Sequence, residues 1–306
     1  MASSIPIYGR SRVALTPYPT EHYSDTVTTT GFEPPRRLSP TCCRSVGGLL
    51  HSGTPTVCQS PRIALSRFYV HVWAASVSLL SSAVPRLLQL LSAEEQRKAT
   101  CFLGWQRQNQ FVIGRGLLRL LVGGYLNRRP DEIVFANCRF GKPYLADPPW
   151  LHFNVSHSHD LVVLGFANDR RLGIDVQKID TRELTPEVAN RVFSPSELSA
   201  LRGFDWREQL DVFSRTWVAK EAYTKGIGCG LSQRFDQLEV TLAGDGRPRI
   251  RVKDKDDSGI ASWRLRELRL AEGYTAALAA EGQDWRLKCQ FIRAIPEMTD
   301  VADIRQ

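Results

Sequence analysis

The stretch "WVAKEAYTKGIGCGL", Trp217–Leu231, begins with good helix formers and ends in closely spaced glycines. Glu221 and Lys225 are spaced i,i+4, so a helix would place them on one face. Gly226 stands where such a helix would end. An ordinary solvated helix would also look like this, because charge pairs at this spacing are common on exposed helix faces. Motifs in other segments of the chain are needed to distinguish a solvated helix from a functional one.

The composition of the 306-residue chain favours a globular protein of one large domain or two ordinary ones. The formal net charge of +8 favours phosphate-bearing or acidic partners. The basic residues form no long run, and no stretch interleaves aromatic residues with Arg and Lys as a nucleic-acid platform would. We therefore expect no nucleic-acid partner. A basic module that captures nucleotides or nucleic acid without chemistry is the competing class.

Cysteine usage and hydropathy bear on the cellular location. The seven cysteines include no CxxC pair and no Cys/His spacing that suits zinc, which is typical of reduced thiols. No apolar run approaches the roughly 20 residues that a membrane-spanning helix needs. No charged segment followed by an apolar one opens the chain. We expect a cytoplasmic protein without a membrane partner.

Residues 1–66 differ in composition from the rest. They are rich in Ser, Thr, Pro and Arg, contain three acids, and show no sustained period of 2 or 3.6 residues. This pattern predicts a disordered or non-native N-terminal extension. An organellar transit peptide would also be rich in Ser and Arg, but the prolines and the lack of an amphipathic helix weaken that explanation. A start codon assigned upstream of the true one explains the segment equally well.

Helix and strand signals then recur in two series. The first has a strand at residues 68–77, a helix that Ser92 caps with Glu95 at its third position, and an apolar helix at 111–126. The second has a Ser-capped helix start from Phe193, the long helix with the opening stretch, and strands at 237–242 and 274–280. We predict an α+β fold of two similar halves, residues 67–180 and 181–295. Chance recurrence in an α+β protein is the alternative to duplication.

Three segments between the halves carry polar residues suited to phosphate chemistry: "RFGKPYL" (139–145), "LHFNVSHSHDLVVLGFA" (151–167) and "RLGIDVQKID" (171–180). Ser156 and His157 are adjacent at a predicted strand end, and both side chains hydrogen-bond phosphate oxygens well. A histidine satisfied by backbone in a turn is the plainer explanation for His157. Lys142 follows a glycine, where a lysine is usually solvated, although its compact charge also suits a phosphate.

Asp175 stands among apolar strand formers in "GIDV", where an unpaired carboxylate would be costly without a cation. Magnesium takes one or two carboxylates together with waters and substrate phosphates. Asp175 and Glu221 would form such a pair. The residues alone therefore indicate a metal-dependent phosphoester or pyrophosphate reaction and do not identify its substrate.

The ordered motifs "GKP", "FNVSHS", "GIDVQ" and "WVAKEAYTKGIGCGL" resemble those of the 4'-phosphopantetheinyl transferase superfamily, Sfp type, over roughly residues 68–280. Ala222 places the chain with the W/KEA subgroup. The resemblance implies transfer of phosphopantetheine from coenzyme A to a serine of an acyl or peptidyl carrier protein, with release of adenosine 3',5'-bisphosphate. It also implies a pseudo-twofold monomer of two similar α+β halves with the site between them.

The resemblance further implies roles for individual residues. Asp175 and Glu221 would hold Mg²⁺, Glu221 would also accept the carrier serine's proton, and Lys225 would steady the leaving phosphate. Gln177 stands where many members carry a second acid, so it is expected to bind the metal weakly or through water. The residues expected to contact coenzyme A are Arg115, Lys142, Ser156, His157, Lys220 and Lys225. A catalytically silent protein that only binds coenzyme A or a nucleotide is the alternative.

Overall fold

The structure is a computed structural model that describes residues 62–182, 185–228, 234–242, 248–252 and 262–295. The predicted N-terminal extension lies outside the described residues up to residue 61. The helices are α1 (Val84–Gln89), α2 (Ala93–Thr100), α3 (Trp105–Leu126), α4 (Pro186–Val192), α5 (Pro195–Leu201) and α6 (Trp206–Ile227). The strands are β1 (Tyr69–Ser76), β2 (Ala136–Asn137), β3 (Pro143–Tyr144), β4 (Leu151–Ser158), β5 (Leu161–Asn168), β6 (Leu172–Lys178), β7 (Leu238–Leu242), β8 (Pro248–Val252), β9 (Trp263–Leu268), β10 (Tyr274–Glu281) and β11 (Arg286–Ile292).

The strands form two main sheets. The first has the order β11-β1-β5-β4, and the second has the order β6-β10-β9. Within the first sheet β1 runs antiparallel to β5 and parallel to β11. Two small hairpins, β2–β3 and β7–β8, lie outside these sheets. The predicted α+β class is confirmed.

The two sheets are stacked face to face, with a long helix on the outer face of each. Because side chains alternate along a strand, each strand supplies two different cores. On β5, Val162 and Leu164 pack with α3, whereas Leu161 and Val163 pack towards the second sheet. On β10, Leu278 faces the first sheet while Ala277 packs with α6. The layers therefore run helix, sheet, sheet, helix, and both long helices have 22 residues.

Each sheet contains a strand from the other side of the predicted boundary at residue 180. Strand β6 precedes that boundary, yet it pairs with β10 of the second sheet. Strand β11 comes last in the chain, yet it pairs with β1 of the first. A β1 without β11 would present a row of unpaired backbone groups, and β11 covers that edge. The halves are thus interlocked by exchanged strands, a feature that a linear division of the sequence does not capture.

The helix signals in the sequence match the caps in the structure. Ser92 with Glu95 and Ser194 with Glu197 each form a reciprocal capping box at the start of α2 and α5. The first long helix begins at Trp105, earlier than the predicted residue 111. No helix in the described ranges is both long enough and apolar enough to cross a membrane.

Residues 62–66, which the sequence assigned to the N-terminal extension, are among the described residues. Ile63 donates its backbone N–H to the Gly124 carbonyl at 3.0 Å, and Ile63 and Leu65 pack against the core beneath α3. The polar, low-periodicity composition of the preceding residues concealed these two apolar contacts. The boundary at residue 66 is therefore corrected for residues 62–66.

Candidate active site

The first and second sheets meet at a row of side-chain hydrogen bonds between β4 and β6, which we call the polar seam. Asn154, Ser156 and Ser158 alternate along β4 and so point in one direction. Their oxygens accept from the backbone N–H groups of three alternate β6 residues, at 2.8, 3.3 and 3.0 Å respectively: Ile174, Val176 and Lys178. The seam satisfies the open edge of β6 and fixes the position of Asp175 between two of its bonds.

Helix α6 packs on β6 without room for side chains between the two backbones. A Cβ on Gly173 would lie 2.0 Å from the Ala222 carbonyl oxygen and 2.3 Å from the Gly226 nitrogen. Gly226 in turn lies against Trp263, where a Cβ would come within 2.5 Å of the indole. This close approach brings the carboxylate that follows Gly173 on the same strand face up to the helix.

Gly226 has a different role from the predicted one. Gly226 was expected to end the helix, but α6 continues to Ile227, and Gly228 is its C-cap with φ of 77°. Gly226 is instead a packing residue inside the last turn. Residues 229–231 of the opening stretch lie outside the described residues.

Asp175 lies at the centre of the site and is 5% exposed. Its Oδ1 accepts a hydrogen bond from Ser156 Oγ at 2.8 Å. The Lys225 ammonium reaches the same Oδ1 at 2.5 Å and also lies 3.2 Å from Ser156 Oγ. Residues from β4, β6 and α6 therefore converge on one carboxylate oxygen.

Glu221 lies one turn before Lys225 on α6 and is half-buried. Burial raises the pKa of Glu221, the Lys225 charge lowers it, and the Asp175 charge raises it. Lys225 and Asp175 therefore both act electrostatically on the Glu221 carboxyl group. Because its pKa is raised, Glu221 is a better proton acceptor at neutral pH than an ordinary glutamate.

His157 follows Ser156 on β4, and part of its side chain is exposed. Burial of the rest of the side chain lowers the pKa of His157, and the Lys225 charge lowers it further, whereas the Asp175 charge acts in the opposite direction. The imidazole thus lies within electrostatic range of both Lys225 and Asp175. It can donate a hydrogen bond to an incoming anion while staying neutral.

Lys142 contacts backbone carbonyls at the C-terminal end of α6 and at the start of β6. Its ammonium donates to the Lys225 carbonyl at 2.6 Å, to the Leu172 carbonyl at 3.0 Å and to the Gly226 carbonyl at 3.4 Å. Burial, partly offset by Cys138, lowers the pKa of Lys142 to about 8. A cation at this end of a helix is favourable because the carbonyl dipoles point toward it. Lys142 therefore anchors the helix that carries Glu221 and Lys225.

Arg115 projects from α3. Among the described residues, no hydrogen bond or ion pair links it to Ser156, Asp175 or Lys225. Its Nε lies 3.3 Å from Glu95 Oε1, and its guanidinium lies 5.1 Å from the centre of the Phe135 ring. Its Nη1 is buried and has no partner among the described residues. An anion that reached this nitrogen would satisfy it.

Lys220 is the one predicted coenzyme A contact that the structure buries completely, with 0% exposure. Its ammonium donates to Glu197 Oε2 at 2.6 Å and to the carbonyls of Val192 at 2.7 Å and Phe235 at 3.1 Å. A fully buried ammonium with three partners does not reach a bound nucleotide. The expectation for Lys220 is therefore corrected: it points to the opposite side of α6 from the site and ties α4, α5 and α6 together.

The donor set suits a hard divalent cation. In the described part of the chain, no three His, Cys, Asp or Glu side chains are arranged to hold a metal ion. Asp175 and Glu221 are thus two carboxylates without a third, which is the number that Mg²⁺ uses when waters and substrate phosphates complete its shell. Gln177 lies two residues beyond Asp175 on the same face of β6 and offers a neutral amide oxygen.

Sequence reasoning missed two features of the site. It treated Ser156 as a phosphate contact and did not recognise the seam, although the alternation of Asn154, Ser156 and Ser158 within one strand was a signal for three side chains on one face. It also gave Gly173 no role. A glycine inside a strand pattern often marks a close backbone approach, and that signal was available.

Comparison with known proteins now identifies the class of protein. Residues 171–279 match the family model described as the 4'-phosphopantetheinyl transferase superfamily, and residues 73–168 match the model of a 4'-phosphopantetheinyl transferase N-terminal region. The chain is 30% identical over 243 residues to the 4'-phosphopantetheinyl transferase HetI of Nostoc sp., covering 78% of this chain and 98% of that protein.

A second relative agrees with the first. The chain is 30% identical over 200 residues to the 4'-phosphopantetheinyl transferase Sfp of Bacillus subtilis, covering 65% of this chain and 86% of that protein. The chain belongs to the 4'-phosphopantetheinyl transferase superfamily, Sfp type. The predicted family and the predicted transferase class are therefore confirmed.

Solved structures give a weaker likeness. A holo-(acyl-carrier-protein) synthase from Bacillus anthracis, in complex with CoA (3',5'-ADP), is 19% identical and covers 37% of this chain and 96% of that one, with a TM-score of 0.32. The holo-[acyl-carrier-protein] synthase of Thermotoga maritima is 22% identical, covers 37% and 63%, and has a TM-score of 0.30.

Proposed function

We propose that the protein transfers the 4'-phosphopantetheine group of coenzyme A to a serine hydroxyl of an acyl or peptidyl carrier protein and releases adenosine 3',5'-bisphosphate. Membership of the family supports the reaction class. The observation that carries the assignment to this site is the convergence of Ser156, Lys225 and Asp175, with Glu221 on the same helix as Lys225. The net charge of +8 suits a substrate with three phosphate groups and an acidic carrier protein.

In the proposed reaction Glu221 accepts the proton of the carrier serine. The serine oxygen forms a bond to the phosphorus next to the pantetheine, and the bond from that phosphorus to the bridging oxygen breaks. The electron pair leaves with adenosine 3',5'-bisphosphate, where Lys225 stabilises the developing charge. Mg²⁺ bound by Asp175 and Glu221 would neutralise the pyrophosphate, with Gln177 contributing at most through water.

For coenzyme A we propose contacts with Lys225, which pairs with Asp175, and with His157, which lies within electrostatic range of both. Ser156 is committed to the seam and to Asp175, and its oxygen is available to a phosphate only if one of these bonds is shared. Arg115 remains a proposed phosphate contact because its Nη1 has no described partner. Lys142 supports the site indirectly by holding the end of α6.

We also propose that the protein is monomeric and that it is located in the cytoplasm. The fold supports the first, because the two halves exchange strands within one chain and so supply both sheets of the site. Sedimentation equilibrium would test the oligomeric state, and fractionation of the source cells would test the location.

The decisive experiment incubates the protein with an apo carrier protein, coenzyme A and Mg²⁺ and measures the carrier by mass spectrometry. The expected result is the mass increment of phosphopantetheine in the wild type and its loss in Asp175→Asn and Glu221→Gln. The exposed Glu272→Gln is the matched control and should transfer normally. Absence of the increment on several carriers would favour the silent binding protein, and wild-type rates in either site variant would overturn the assignment.

A further inference from the structure

The two carboxylates of the site are not equally satisfied. Asp175 accepts from Ser156 and forms an ion pair with Lys225. For Glu221, no hydrogen bond or ion pair to the carboxylate is found among the described residues. The positive charge of Lys225 is thus placed on one of the two acids, at Asp175 Oδ1.

The Lys225 side chain reaches Asp175 from the solvent-accessible side of the site. Its side chain is 29% exposed, and its long aliphatic stem allows the ammonium to move towards solvent. Helix α6 itself does not have this freedom, because Gly173 contacts its backbone and Lys142 binds its last carbonyls. Only the lysine side chain can therefore exchange partners without a rearrangement of the fold.

A divalent cation bound to Asp175 would lie close to the Lys225 ammonium, and the repulsion between like charges in this partly buried site would weaken its binding. A pyrophosphate, in contrast, attracts both. Lys225 therefore pairs with Asp175 when no substrate is bound, and a bound pyrophosphate offers it another partner.

We propose that Lys225 is a displaceable internal counterion of Asp175, which excludes a divalent cation from the free protein and moves to the pyrophosphate when coenzyme A binds. This inference rests on the metal site of the proposed function and adds a coupling to it. Metal and coenzyme A then bind cooperatively, since each favours the position of Lys225 that the other needs. The metal is thereby kept from binding firmly in the absence of substrate.

The test is titration of the protein with Mn²⁺ alone, followed by the electron paramagnetic resonance of free Mn²⁺. Lys225→Met should bind Mn²⁺ roughly tenfold more tightly than the wild type, because the competing charge is gone. Lys178→Met is the matched control: it removes an equal charge from the exposed side chain three residues from Asp175, and it should change the affinity by less than about twofold. With coenzyme A present, the wild type should gain more affinity for Mn²⁺ than Lys225→Met does.

Lys225→Gln gives a second neutral side chain if the methionine variant does not fold. The wild type also provides a measurement without substitution, in which acetylation of lysines by a limiting reagent is followed by mass spectrometry. Addition of Mn²⁺ should accelerate labelling of Lys225 relative to Lys178, because the metal releases the ammonium from Asp175.

The outcomes separate the two proposals. If the wild type fails to bind Mn²⁺ even with coenzyme A, the proposed metal site itself is contradicted. A wild type that binds the ion, together with neutral variants that bind it no more tightly or a labelling rate at Lys225 that does not change, would overturn the counterion role and leave the metal site intact.

Discussion

Gly173 and Ala222 are in backbone contact: a Cβ on Gly173 would lie 2.0 Å from the Ala222 carbonyl oxygen. No rotamer can relieve this clash, because both partners are main chain. That contact holds the strand that carries Asp175 against the helix that carries Glu221. The absence of a side chain at Gly173 thus allows Asp175, two residues later, and Glu221, which precedes Ala222, to lie on packed elements.

Gly173→Ala should therefore lose both stability and transfer. The clash forces α6 away from β6, and overpacking of this kind costs about 1–3 kcal/mol or more. Urea unfolding measures the first effect and the carrier-protein assay the second. Gly114→Ala is the control, since its Cβ would make an ordinary 3.5 Å contact with Val162, and in a helix interior it should be neutral or stabilising by up to about 1 kcal/mol. Unchanged transfer in Gly173→Ala would show that the contact does not position the site.

Lys220→Met should destabilise the fold without changing the affinity for coenzyme A of the protein that remains folded. Removal of one partner leaves Glu197 buried without its counterion, which costs about 3–5 kcal/mol. Glu197→Gln should relieve part of this cost in the double variant, so thermal unfolding of the two single variants and the double variant measures the coupling. A stable Lys220→Met protein with weakened coenzyme A binding would restore the role first predicted for this lysine.

Stability should fall as the pH drops from about 6.5 to 4 because of His71. Burial, aided by the Lys288 charge, lowers the pKa of His71 to about 4, and its Nδ1 lies 2.9 Å from the Tyr125 hydroxyl. Trp73 already donates to that hydroxyl oxygen, so the hydroxyl proton is available to a neutral imidazole. Below pH 6.5 the unfolded chain takes up a proton that the folded chain does not, so stability is lost as pH decreases through this window and is unaffected by His71 above it.

The size of this effect is up to about 3 kcal/mol, and unfolding in urea across pH 4–7 measures it. His71→Gln should flatten the profile, whereas the exposed His159→Asn should leave it unchanged. An equal pH dependence in wild type and His71→Gln would assign the acid sensitivity to other groups.

Asn154→Ala should loosen the polar seam. The Ile174 N–H, which donates to Asn154 Oδ1 at 2.8 Å, would be left buried without an acceptor, at a cost of about 1–3 kcal/mol. Hydrogen exchange of the Ile174 amide should accelerate, and transfer should fall because the seam holds Asp175. Asn137→Ala, at an exposed position, is the control. Unaltered protection of Ile174 would contradict the seam.

The local signals in the sequence were sufficient for the secondary structure near the site. The capping boxes at Ser92 and Ser194 depend on residues three apart in the chain, so they could be found without tertiary information. The apolar strand-forming residues that precede Ser156 and surround Asp175 likewise indicated the strands β4 and β6. Local signals could not identify the strand that pairs with each sheet edge, because that strand can be distant in the chain. Strand β11, for example, covers the edge of β1.

For the site, the motif order pointed to Asp175, Glu221 and Lys225 as a group, and the structure brings Asp175 and Lys225 into contact while Glu221 lies within electrostatic range of both. It could not distinguish Lys220 from Lys225, since both are lysines on one helix. They differ by five residues, which places them on different faces: one enters the core with Glu197 and the other reaches Asp175.

The sequence by itself determined the family, the elements and the residue types that the chemistry requires, because these follow from motifs and periodicities within short segments. Tertiary structure alone decided that Lys142 binds the end of α6, that Lys220 is buried, and that Ser156 and Lys225 share one oxygen of Asp175. The reason is that the residue type fixes the charge of a side chain, but not its partner. The partner depends on the packing of β4, β6 and α6, which brings distant backbone groups and side chains within hydrogen-bonding distance.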